Sequence, residues 1–135
     1  MIRAAQKTLR GALLLAASST AAFALPSTPS EQAEAFAICA GRYEAIATHQ
    51  KAFQLPNADQ SAEIHDNFQL LLDATLPAAL ETGIPEQLPV QWHSGGWGEI
   101  STLLAAKVYS FDPQQAIRAQ QRVEQHLQDC RGLIF

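Results

Sequence analysis

The sequence predicts an all-α protein, a small up-and-down bundle of about four helices tied by one disulfide. Apolar side chains recur at steps of three and four in four separate segments, and three of these segments begin at a helix-capping pattern. No segment alternates polar and apolar residues as a half-buried strand would. The 135 residues include two cysteines, Cys39 and Cys130, which we expect to form the single bridge.

The first 24 residues have the pattern of a secretory signal peptide. Three basic residues precede a short apolar stretch, which is followed by the small-x-small sequence Ala22-Phe23-Ala24. A transmembrane anchor needs about 20 predominantly apolar residues, and Ser18 interrupts this stretch early. We therefore expect cleavage after Ala24, a single helical domain over residues 25–135, and a periplasmic or secreted protein without a membrane span.

The charge of the predicted mature chain limits its partners. Three of the nine basic residues lie in the signal peptide, so six basic residues face 13 acidic ones and the net charge is about −7. Nucleic acid and anionic membranes need a basic surface. The sequence thus argues against both classes, while a protein partner in the periplasm stays open and the oligomeric state is not predicted.

Two N-terminal helices begin at capping boxes. Thr28 with Glu31 predicts the first helix, which should end near Phe53, and Asn57 with Gln60 predicts the second. Proline removes a backbone donor and disfavours helical geometry before it. We expect Pro77 to kink or end the second helix.

The third segment contains the stretch QWHSGGWGEI, residues 91–100, with three glycines and both tryptophans. Its apolar positions keep helical spacing through the glycines, although each glycine costs a helix interior about 1 kcal/mol relative to alanine. We favour a helix from about Val90 to Ser110 with tight packing at the glycines. The alternative is a loop that ends at Gly98.

The fourth helix begins at Asp112, with Gln115 completing a capping box, and should stop at Gly132. In an up-and-down bundle, Cys39 on the first helix then faces Cys130 on the last. The chain-entropy model gives about 4–5 kcal/mol for closing a loop of this length, a large part of a small domain's stability.

No complete catalytic motif is present. Ser94 lacks the first glycine of a nucleophile elbow, since Trp92 occupies that position. A dinucleotide fingerprint would need glycine at Ser101, and a phosphate loop would need a lysine much closer than Lys107. We predict no catalytic residues.

The four histidines lie one on each predicted helix, at positions 49, 65, 93 and 126. Counting about 1.5 Å per residue from the disulfide places His93 and His126 toward the disulfide end and His49 and His65 toward the other. A site of two histidines at either end, completed by Glu44, Asp66 or Glu124, is the remaining metal-binding option. We predict no metal and no cofactor, because no grouping of the four histidines fits this register and such histidines are usually partly buried, hydrogen-bonded residues.

Two further side-chain groups have candidate roles. We expect Arg42, one turn after Cys39, to pair with an acidic residue of the fourth helix. Trp92, His93 and Trp97 are the candidate contacts for a ligand or a protein partner, although large aromatic residues also fill cores.

The segment FAICAGRYEAIATHQ and the closing CRGLIF resemble small exported helical bacterial proteins of unknown function that carry an early Cys-x-Gly-Arg and a late Cys. The matching positions are Cys39, Gly41, Arg42 and Cys130. The resemblance implies a disulfide-tied helical fold and no activity.

These observations favour an exported helical protein that acts without catalysis, as a binding or accessory module. One alternative is a bundle that binds a metal, haem or a small apolar ligand, with the glycines beside His93 providing space. Another is an inhibitor or immunity-type protein, which the size and acidic charge fit equally well.

Overall fold

The computed structural model describes residues 26–135, which form four α-helices joined by short turns. The helices are α1 (Pro29–Ala52), α2 (Ala58–Glu81), α3 (Leu88–Tyr109) and α4 (Pro113–Arg131). They alternate in direction along the chain, and Cys39 and Cys130 form the disulfide, with their Cα atoms 5.6 Å apart. The predicted all-α bundle with one disulfide is confirmed, whereas the predicted signal peptide lies outside the described residues.

Helix α1 is the centre of the fold. It has nine buried residues, whereas each of the other helices has three or four. Helices α2, α3 and α4 all pack against it, while α2 approaches neither α3 nor α4 at the backbone in the described part of the chain. The many alanines of α1 explain this position, because small side chains let neighbouring helices approach from several directions.

The aromatic core joins α1 to α2. The ring of Phe68 lies 6.4 Å from that of Phe36 and 5.9 Å from that of Tyr43, measured between centroids. Phe68 is fully buried. Aromatic pairs at such separations stabilise a fold beyond the area that they bury, so this contact fixes how α2 lies on α1.

The helix boundaries agree with the sequence better than the capping details do. Thr28 and Glu31 form the predicted box. Asn57 precedes α2, but its side chain makes no capping hydrogen bond, because its ψ of 7° is far from the extended geometry of a cap. At α4, Asp112 caps through Gln114 N–H, while the side chain of Gln115 accepts from Ser110 instead of closing a box.

One of the two predicted helix breaks differs from the structure. Pro77 is predicted to kink or end α2; it lies inside α2, which continues for another turn, so the expectation of an end there is wrong. That turn is held by the fully buried Ala79 and by a 2.6 Å hydrogen bond between Thr82 and Ser30 of α1. Gly132 does end α4, but with an ordinary φ of −61° rather than a left-handed one.

None of the helices within residues 26–135 combines the length and apolar character that a membrane span requires.

Candidate functional site

The glycine-rich stretch is part of α3, and it is where α3 crosses α1 most closely. A Cβ on Gly96 would overlap the backbone carbonyl of Ile38, and one on Gly41 would overlap that of His93. Gly95 and Gly98 face open space. Two glycines therefore let the helix backbones touch, which confirms the favoured helix and removes the loop alternative.

This crossing decides which side chains meet. His93 is held beside Gly41, so its imidazole reaches over α1 toward Glu44, one turn further along. His93 Nε2 lies 3.2 Å from Glu44 Oε2. Ser94, the next residue, is exposed to solvent and lies in the middle of α3. The backbone N–H groups there already form the hydrogen bonds of the helix, so they are not free to bind a phosphate or an oxyanion as those of a loop would be.

A third donor comes from α2. The rings of His65 and His93 are 6.5 Å apart between centroids. One ligand atom from each of Glu44, His65 and His93 lies within 4.8 Å of the other two. All three residues are partly buried, and we call them the His-Glu triad. Three helices thus each supply one potential metal ligand at a single point.

Asp66 acts on the triad through His65. Its Oδ1 lies 3.0 Å from His65 Nδ1. A carboxylate that accepts from one imidazole nitrogen fixes the tautomer and leaves the other nitrogen free as an acceptor or metal ligand. Asp66 therefore presents His65 Nε2 as the free nitrogen.

A second histidine–glutamate pair lies near the disulfide. His126 Nε2 is 3.2 Å from Glu99 Oε1, the same separation as in the triad. Here the third group is Arg42, whose Nε and Nη2 both lie 2.8 Å from Glu99 Oε2. Arg42 Nη1 also donates to Cys130 Sγ at 3.7 Å. Glu99, His126, Arg42 and Cys130 thus form one structural network, which we call the Arg42 network.

The expected partner of Arg42 needs correction. The acidic residue that pairs with Arg42 is Glu99 on α3, not one on α4. Helix α4 contributes a backbone carbonyl instead, that of His126, at 3.5 Å. The reason is the close α1–α3 crossing, which brings Glu99 nearer to Arg42 than the acidic side chains of α4.

The predicted separation of the histidines is also wrong for one pair. His65 and His93 were placed at opposite ends of the bundle, yet they share the triad. Only five residues separate Cys39 from Glu44, which is about 7.5 Å along a helix axis. Long side chains from α1, α2 and α3 can meet across a distance of this size. Counting residues from the disulfide therefore could not show which histidines lie at opposite ends of the bundle.

The predicted contact residues lie in different surroundings. His93 belongs to the triad, and Trp92 packs against the core while partly buried. Trp97 is 43% exposed and lines a shallow cleft together with Ala45 and Thr48 of α1. A role for Trp92, His93 and Trp97 in contacting a ligand or a protein partner stays a prediction.

Comparison with known proteins gives no match for this chain among protein-family models, curated proteins or solved structures.

Proposed function

We propose that this chain is an exported, non-catalytic binding protein whose ligand is a divalent transition-metal ion held by the His-Glu triad. The observation that carries the proposal is the convergence of Glu44, His65 and His93, from three helices, to within 4.8 Å. This replaces the expectation of a metal-free protein, because that expectation depended on His65 and His93 lying apart.

The donor set favours a transition metal. Imidazole nitrogen binds Zn²⁺, Cu²⁺, Ni²⁺ and Fe²⁺, whereas Ca²⁺ and Mg²⁺ prefer sites made of oxygen. Two ligands about 2.1 Å from a tetrahedral ion lie roughly 3.4 Å apart. The His93–Glu44 separation of 3.2 Å is close to this value. The ligand atom of His65 lies within 4.8 Å of the other two and would have to approach them to bind the same ion.

The electrostatics support a cation at this point. The triad contains one carboxylate, that of Glu44. A second carboxylate, that of Asp66, lies beside the triad and orients His65. The described residues place no arginine or lysine side chain in an ion pair with Glu44. A divalent ion would therefore meet negative charge without displacing a cationic side chain.

Export is the other part of the proposal. It rests on the signal-peptide pattern of residues 1–24 and agrees with the disulfide, which persists in oxidising compartments. We expect the periplasmic or secreted form to begin at Leu25. N-terminal mass analysis of that fraction tests this, and an intact Met1 there would contradict it.

Titration calorimetry with Zn²⁺ on the mature chain, purified without a histidine tag and stripped with a chelator, tests the metal site. We expect one ion per chain with a Kd of about 10 µM or tighter, which corresponds to about −7 kcal/mol. His65→Gln, His93→Gln and Glu44→Gln should each weaken binding at least about 10-fold. Co²⁺ absorption should show nitrogen coordination in the wild type, and His65→Gln and His93→Gln should weaken this signal.

His126→Gln is the matched control, because His126 also lies 3.2 Å from a glutamate but belongs to the Arg42 network. It should bind Zn²⁺ as the wild type does. If the wild type binds no better than about 1 mM, or if His126→Gln loses as much affinity as His93→Gln, the triad is only an ion pair and the proposal is wrong. Asp66→Asn should weaken binding less than loss of a ligand, about 10-fold at most.

A further inference from the structure

A cleft opens on another face of α1, between α2 and α4. These two helices pack against α1 without approaching each other, which leaves a space of about 280 Å³. That volume is just below the usual range of small-molecule sites, about 300–1,000 Å³. The cleft is lined on its apolar side by Ile46, Ile64, Leu104, Val123 and Leu127.

The wall of the cleft contains an acceptor that has no donor. Gln50 Oε1 is fully buried and makes no hydrogen bond, the one such side-chain atom found among the described residues. A buried acceptor without a partner destabilises the folded protein. A ligand N–H or O–H group that reached this oxygen on rotation of the partly buried Gln50 side chain would provide the missing donor, so Gln50 indicates what a ligand must offer.

The charges of the cleft differ from those of the chain as a whole. Lys107 and Arg131 line it together with a single acid, Glu124, whose carboxylate already accepts from Gln120. His49 adds no charge at neutral pH, because burial and the nearby ammonium group of Lys107 both lower its pKa. The full sequence carries a net charge of −4, so a cleft with an excess of cations is a local exception.

We propose that the cleft between α2 and α4 binds a small amphipathic anion with an apolar body and an N–H or O–H donor directed at Gln50 Oε1. The apolar body would lie against Ile64 and Val123, and the anionic group would lie near Lys107. This site is separate from the His-Glu triad, because the cleft and the triad use different residues of α1. The proposal therefore does not depend on metal binding.

Three related fluorescent probes separate the three requirements. Anilinonaphthalene sulfonate has an apolar body, an N–H and an anion; phenylnaphthylamine lacks the anion; naphthyl phenyl ether lacks both the anion and the N–H. We expect the sulfonate to bind the metal-free wild type at one site, at least about threefold more tightly than the amine. The amine should in turn bind at least about threefold more tightly than the ether.

Variants connect each preference to its residue. Lys107→Gln should abolish the preference for the sulfonate, and Gln50→Leu should abolish that for the amine over the ether. Lys51→Gln and Gln121→Leu, which lie outside the cleft, are the matched controls and should retain both preferences.

Blocking the cleft completes the test. Ile64→Trp should remove probe binding, while Ile117→Trp, on the exposed side of α4, should not. Circular dichroism must show that each variant remains folded, and the loss of the amine preference in Gln50→Leu is the deciding result if Ile64→Trp unfolds. Equal binding of the three probes, undiminished binding to folded Ile64→Trp, or an amine preference that survives Gln50→Leu would overturn the proposal.

Discussion

Two glutamate–histidine pairs of equal length have different surroundings in this molecule. In the His-Glu triad, Glu44 and His93 are 3.2 Å apart, and the third member is another imidazole, that of His65. Near the disulfide, Glu99 and His126 are also 3.2 Å apart, but the third member is the guanidinium of Arg42. Both pairs include a residue of α3, the helix that crosses α1 at Gly41 and Gly96.

The third group decides what each pair can do. A guanidinium with two nitrogens 2.8 Å from one carboxylate oxygen already provides that carboxylate with a cation. An imidazole instead adds a nitrogen ligand beside the carboxylate. The pair with Arg42 therefore ties α1, α3 and α4 together, whereas the pair with His65 is the one that we propose binds a metal ion.

The largest expected effect comes from breaking the crossing that positions both pairs. Gly96→Ala would place a methyl group into the backbone of Ile38, and a backbone cannot rotate away as a side chain can. We expect a loss of at least about 3 kcal/mol of unfolding free energy, toward the upper end for overpacking. Chemical denaturation measures this loss.

Gly95→Ala is the control for that measurement. Its Cβ would meet open space, and alanine favours a helix over glycine by about 1 kcal/mol. We expect Gly95→Ala to be as stable as the wild type or more so. If both alanine variants were equally stable, the close crossing at Gly96 would be wrong.

Removing the disulfide should have the next largest effect, and it acts on one pair only. Cys39→Ala or Cys130→Ala should lower stability by about 2–4 kcal/mol, and the double variant should match either single one, since all remove the same bond. At roughly 4–8 °C per kcal/mol, the melting temperature should fall by about 8 °C or more. Helix content should persist below the transition.

Metal binding distinguishes the two regions in this experiment. The disulfide contacts Arg42 but none of the triad residues, so the folded cysteine variants should bind Zn²⁺ as the wild type does. A loss of Zn²⁺ affinity comparable to that of His93→Gln would show that the two regions are not independent.

Arg42→Met tests the comparison directly, with a smaller effect on stability. Glu99 would lose its cation while staying about one-third exposed, so water can hydrate part of its charge. We expect a loss of about 1–2 kcal/mol, between the values for exposed and buried ion pairs. The variant should gain no second Zn²⁺ site, because Glu99 and His126 provide only two ligands; a second ion in the calorimetric titration would contradict this.

The sequence predicted the helices well because their period and caps are local properties. Apolar spacing through Gly95, Gly96 and Gly98 correctly indicated that α3 includes the glycines. The cap at Asn57 and the effect of Pro77 were less predictable, since both depend on backbone angles and tertiary contacts. The apolar spacing of α1 did not show that α1 lies at the centre of the fold. Its many alanines indicate this position, because they let other helices approach from several directions.

The triad could not be predicted by counting residues. Glu44 and His93 meet because Gly41 and Gly96 let α3 cross α1 at contact distance, and no spacing within a single helix encodes that approach. The sequence did name His93 as a candidate contact, and Glu44 and Asp66 as possible partners of a two-histidine site. The sequence did not show where α2 and α3 lie relative to each other along the axis of α1.

The smallest predicted effect concerns His49. The charged side chain near His49 is the cation of Lys107, whereas His93 and His126 each lie beside a glutamate. Burial, and then the charge of Lys107, lower the pKa of His49 below the ordinary histidine value. The ring also packs against Phe53, 4.6 Å away between centroids. The folded state therefore resists protonation at His49 more than the unfolded state does.

The sign of the pH dependence follows from that difference. A folded-state pKa below the unfolded one stabilises the protein above the unfolded value, about 6.5, and this contribution is lost as the pH falls through the folded-state pKa. Between pH 7.5 and pH 5, wild-type stability should therefore fall more than that of His49→Gln, which has no proton to take up at this position. Thermal unfolding of metal-free protein across that range measures the difference, and Lys107→Gln should reduce it by removing the nearby charge. An identical pH profile in wild type and His49→Gln would show that His49 titrates alike in the folded and the unfolded state. The nearby cation would then not distinguish His49 from the two glutamate-paired histidines.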